Sequence, residues 1–107
     1  MSALQAKRIV QKCKEALAKA YGSRLKGVIL YGSVARKTAG ITSDIDLLVI
    51  LAPPLDYFSE IRRIIDVLYP IQLESERLIS AKPVLAADYE SGSLALYRNA
   101  ARDGIAI

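Results

Sequence analysis

Apolar positions along residues 3–21, ALQAKRIVQKCKEALAKAY, recur at helical spacing. Ile9, Cys13, Leu17 and Ala20 lie in one stripe with Val10, Ala16 and Tyr21, while Lys7, Lys12, Lys14 and Lys19 fall elsewhere on the wheel. The spacing predicts an amphipathic helix ended by Gly22. After Gly27 the run Val28 to Tyr31 predicts a short buried strand stopped by Gly32, and residues 33–43 are polar. The segment DIDLLVIL, from Asp44, is apolar apart from its two carboxylates. It predicts a central strand covered on both faces and ended by Pro53 and Pro54. Asp56 is a candidate N-cap for a helix over residues 57–68, with Phe58, Ile61, Ile65 and Leu68 facing inward. Pro70 is expected to stop that helix, and IQLESERLI, residues 71–79, to follow as a strand. Residues 88–103 predict a helix interrupted near Gly92, capped by Gly104 before a terminal IAI. The order helix, strand, strand, helix, strand, helix implies an α/β or α+β fold, a small sheet flanked by helices.

With 107 residues the chain has room for one domain that buries roughly two thirds of its unfolded surface. A content of 52% hydrophobic and 24% charged residues is that of a globular protein. The chain contains no histidine, which removes His-based triads, His general bases and His-ligated metals. Its single cysteine, Cys13, removes internal disulfides and cysteine metal clusters, and its place on the apolar stripe makes it a small buried hydrophobe. Catalysis must therefore run on carboxylates, hydroxyls, Lys and Arg. No stretch is as long and apolar as a membrane span, and no secretory signal is visible, so the expected location is cytoplasmic. The net charge of +4 is uneven. Nine Lys and Arg oppose Glu15 alone in residues 1–37, and six oppose ten acids thereafter. The basic segment suits phosphates, nucleic acid or an acidic partner, or is a solvated helix face.

Chemistry concentrates in GSVARKTAGITSDIDLLVI. Gly32 stands where a strand ends, and without a Cβ its backbone can approach a ligand closely. The N–H groups of the following turn and the Ser33 hydroxyl can then grip phosphate oxygens. Asp44 and Asp46 alternate with Ile45, so their side chains leave one face of the strand about 6–7 Å apart. Two carboxylates so placed repel each other, and burial adds to the cost of ionising both. A divalent cation relieves that conflict, and an all-oxygen donor set selects a hard ion such as Mg²⁺ with phosphates completing its shell. Lys37-Thr38 lacks the preceding glycines of a P-loop.

Ten residues separate Ser33 from Asp44, so the segment resembles the GS, ten residues, DxD signature of the DNA polymerase beta superfamily of nucleotidyltransferases. GSVAR followed by SDIDLLV, with LYRNAARDGIAI at the end, resembles the minimal nucleotidyltransferases, or MNT proteins. The resemblance implies a single nucleotidyltransferase domain over residues 1–107, with a polymerase-beta-like fold and a two-metal mechanism. Asp44 and Asp46 would hold Mg²⁺, while Gly32 and Ser33 would hold the β and γ phosphates of ATP. Arg36 would neutralise pyrophosphate or anchor the turn. A third carboxylate is expected on the strand beside the DxD strand, where Glu74 and Glu76 would share a face; Glu76 lines up better with relatives. Lys37 stands where relatives often have Gly.

In the MNT family the resemblance points to a toxin–antitoxin pair. There the MNT chain is the antitoxin, of the type VII kind, and transfers AMP to a tyrosine of an all-helical HEPN toxin. Hetero-oligomers with that partner are expected, with neither membrane nor nucleic acid as partner. The alternatives are an antitoxin that neutralises by binding alone, and a transferase acting on a small molecule or RNA.

Overall fold

The computed structural model describes residues 3–32 and 44–107. Helix α1 (Ala3–Tyr21) leads through a short 3₁₀ turn into strand β1 (Leu25–Tyr31). Strand β2 (Ile45–Leu51) is followed by α2 (Tyr57–Glu74), β3 (Ile79–Leu85), α3 (Ala86–Ser91), α4 (Ala95–Asp103) and β4 (Ile105–Ala106). The strands form one mixed sheet in the order β3-β2-β1-β4. β1 runs antiparallel to both β2 and β4, whereas β2 and β3 are parallel. This is an α+β architecture, a small mixed sheet flanked by helices, as the sequence implied. Among the described residues no helix is long and apolar enough to cross a membrane.

β2 is buried on both faces because it lies inside the sheet and beneath helices on either side. Ile45, Leu47, Val49 and Leu51 join Ile9, Cys13 and Leu17 of α1 and Ile64, Leu68 and Ile71 of α2 in the larger core. Leu48 and Ile50 point the other way, to Ile29, Val84 and Ala100, with Tyr89, Leu96 and Tyr97 packed against them. The alternation expected of a strand thus assigns Asp46 to the face covered by α3 and α4. At the far end of β2 a buried polar cluster ties the elements together. Arg24 donates to Glu60 Oε2 at 2.7 Å, and the Tyr21 hydroxyl donates to Glu60 Oε1 at 3.1 Å.

Four sequence expectations change here. Pro70 does not stop α2, which continues to Glu74. The ring is exposed, so the carbonyl it leaves without a backbone donor can be hydrated, and the burial of Ile71 one residue on holds the last turn against the core. The inward stripe is Glu60, Ile64, Leu68 and Ile71, with Phe58 and Ile65 exposed at 74% and 58%. IQLESERLI is not a strand: its first four residues finish α2, and β3 is ISAKPVL. Asp56 occupies the N-cap of α2, but its carboxylate accepts a bond from Ser59 Oγ rather than from a backbone N–H. The interruption at Gly92 is a left-handed C-cap separating α3 from α4.

Candidate active site

The end of β1 delivers Gly32 to the side of β2 on which Asp46 stands, because Tyr31 pairs with Asp46 across the antiparallel ladder. Gly32 adopts a φ of +78°, and a Cβ placed on it would lie 2.5 Å from Asp46 Oδ2. Only glycine combines this backbone conformation with so close a carboxylate. Asp44 immediately precedes β2 and is exposed, while Asp46 is half-buried. Burial raises the proton affinity of Asp46, and the negative charge of Asp44 raises it further; Lys82 works in the opposite direction. The conflict between neighbouring carboxylates read from the sequence is therefore present in the fold.

Tyr31 lines the same place. Its phenol is pushed above the ordinary tyrosine range by burial first, then by Asp46 and Tyr57. On the other side of β2, Ser80 pairs with Asp46 and Lys82 with Leu48, so both β3 residues share the face of Asp46. The sequence reading missed Tyr31, Ser80 and Lys82. The assignment of β3 to residues 71–79 concealed the last two, although the alternation of Ser80, Lys82 and Val84 with Ile79 and Ala81 was legible.

Glu74 and Glu76 do not stand side by side on a strand, because that segment is the end of α2 and the connection after it. The Glu74 carboxylate meets Lys12 Nζ of α1 at 2.8 Å. Glu76 lines a groove with Gln5, Arg8, Ile9, Lys12 and Glu74, in the helical layer that covers the opposite face of the sheet. β3 itself carries no carboxylate. Ser33, Arg36 and Lys37 lie outside the described residues.

Asp44 and Asp46 suit a divalent cation by their chemistry. They offer hard oxygen donors, their mutual repulsion is relieved by positive charge, and the bare Cα of Gly32 lets the backbone come close to Oδ2. Among the described residues no third His, Cys, Asp or Glu gathers with them. Phosphate oxygens and water would have to complete the shell, which is the usual habit of Mg²⁺.

The model of the nucleotidyltransferase domain family matches residues 10–84, a span that takes in β1, Gly32, the aspartate pair and most of β3. The chain belongs to this family. The nucleotidyltransferase fold is also similar to a crystal structure of a candidate nucleotidyltransferase from Sulfolobus solfataricus. The two share a TM-score of 0.63 and 18% identity, over 99% of this chain and 86% of that one. At that identity the likeness is one of fold. No curated protein sequence matches this nucleotidyltransferase. Family membership makes nucleotidyl transfer the general activity to be explained, and the matched span includes the Asp46 carboxylate seated against Gly32.

Proposed function

We propose that this nucleotidyltransferase transfers AMP from ATP to a hydroxyl, and that the acceptor is a tyrosine of a HEPN-type helical toxin which the chain neutralises as an antitoxin. The observation that carries the reading is the seating of the Asp46 carboxylate against Gly32, with Asp44 beside it. Mg²⁺ held by Asp44 and Asp46 would supply the charge neutralisation that phosphoryl transfer needs. With that cation held between them and the nucleotide, the two aspartates would orient the α-phosphate end. Gly32 and Ser33 would hold the β and γ phosphates, and Arg36 would neutralise pyrophosphate or anchor the turn. The acceptor oxygen forms a bond to the α-phosphorus as the bond to pyrophosphate breaks, and the acceptor proton passes to solvent.

Incubation of the chain with ATP, Mg²⁺ and its helical partner should add the mass of AMP to one partner tyrosine. The double variant Asp44→Asn with Asp46→Asn should add none. An equal increment from that variant refutes the assignment of the pair.

One observation favours a second reading, neutralisation by binding alone: Lys82, rather than a carboxylate, stands on β3 beside the aspartate pair. Under that reading the double Asn variant still inhibits the toxin, and the toxin gains no mass. Inhibition lost together with the mass increment supports the transferase.

A further inference from the structure

β2 and β3 run parallel with Asp46 opposite Ser80, which places Lys82 one step further along the same face of the sheet. Such diagonal neighbours lie about 7–8 Å apart between Cα atoms, well within the reach of a lysine side chain. Asp46 feels the charge of Lys82, yet no ion pair closes between Lys82 and any described carboxylate. Lys82 is exposed on the outer strand of the sheet. The outer edge of that strand is poorly suited to another strand: Pro83 has no N–H to offer, and the Ile79 N–H is already donated to Gln72 Oε1 at 2.7 Å. What lies open beside Asp46 is therefore an exposed ammonium on the outer strand.

Charge decides what such an ammonium can do. The aspartate pair and one divalent cation cancel, which leaves a bound triphosphate with most of its negative charge uncompensated by this end of the site. We propose that Lys82 binds a phosphate oxygen of the nucleotide and takes the place of a second metal ion, so that the chain works with a single divalent cation. The inference rests on the reading that Asp44 and Asp46 face a nucleoside triphosphate. Ser80, opposite Asp46, offers a neutral hydroxyl and no competing charge. A lysine differs from a second cation in being permanently attached, so the positive charge is present before nucleotide arrives.

The test is nucleotide binding, not turnover. A non-hydrolysable ATP analogue is titrated into the full chain with Mn²⁺, with affinity read by calorimetry and bound Mn²⁺ counted by electron paramagnetic resonance. The wild type should bind one Mn²⁺ for each analogue. Lys82→Met should weaken the analogue by about ten- to a hundredfold, the loss expected of one charge-assisted bond. It should also make affinity less sensitive to salt, whereas Lys82→Arg keeps both. Lys82→Asp should recover affinity by taking up a second Mn²⁺. Circular dichroism identifies any variant that fails to fold, and Lys82→Arg then carries the comparison. Two Mn²⁺ per analogue in the wild type, or unchanged affinity in Lys82→Met, overturns the role of Lys82 and leaves the proposed function standing. A wild type that binds no analogue at any Mn²⁺ concentration overturns both.

Discussion

Replacing Gly32 by Ala tests whether the close approach of β1 to Asp46 is what builds the site. Two costs follow from the geometry. At a φ of +78° the new side chain holds the backbone in the left-handed region, worth about 1–2 kcal/mol. The added Cβ would also stand 2.5 Å from Asp46 Oδ2, so either the carboxylate or the turn must shift by around 1 Å. Because Asp46 is half-buried and its carboxylate terminal, rotation of that side chain is the cheaper response. Thermal unfolding should thus fall by only about 5–10 °C, as expected for 1–2 kcal/mol in a domain of this size. Mn²⁺ binding in the presence of an ATP analogue should fall by about tenfold or more, since a ligand moved by 1 Å no longer meets the ion in ideal geometry. Differential scanning calorimetry and Mn²⁺ titration measure the two effects separately. Unchanged Mn²⁺ affinity in a folded Gly32→Ala chain refutes the argument that this glycine shapes the carboxylate site.

Divalent cation binding should weaken as pH falls, starting above the ordinary aspartate range near 4, because burial and Asp44 favour the protonated form of Asp46 and a proton competes with the ion; a Mn²⁺ titration repeated between pH 4 and 8 checks this. Burial pushes the Cys13 thiol up from 9.0 to about 12. The folded state then holds a proton that the unfolded state releases, so this contribution to stability is complete below pH 9 and lost as pH rises toward 12. Urea unfolding at pH 7 and pH 10.5 should show that loss, and a thiol reagent should modify Cys13 only at the rate at which the core opens. Glu60→Ala leaves the buried Tyr21 hydroxyl without its acceptor and Arg24 with the Pro54 carbonyl in place of its carboxylate, costing about 1–3 kcal/mol by urea unfolding, with Mn²⁺ binding intact in the folded fraction.

The elements with a strong period were legible from residue types alone. α1 shows an apolar stripe of 3.6 period, and β2 an apolar run too short and too β-branched for a helix. The position of Asp46 was legible for the same reason, since the period of a strand puts it on the face of Leu48 and Ile50 whatever packs around them. The course of the chain from Pro70 to Ile79 was not. A proline on the exposed side of a helix costs little when the next residue is buried, and only tertiary packing of Ile71 reveals it. That one shift moved β3 by eight residues, removed Glu74 and Glu76 from the strand beside Asp46, and brought Ser80 and Lys82 there instead. The inward face of α2 turned with it, because Glu60 is buried by its bonds to Arg24 and Tyr21, something no hydrophobic period announces.

The most direct test of the account is a count of Mn²⁺ bound to the chain with a non-hydrolysable ATP analogue, in wild type and in the double variant Asp44→Asn with Asp46→Asn. The account predicts ordered Mn²⁺ with protein ligands in the wild-type complex, and in the variant only the hydrated ion that the free nucleotide carries. Identical spectra and affinities for the two chains contradict it.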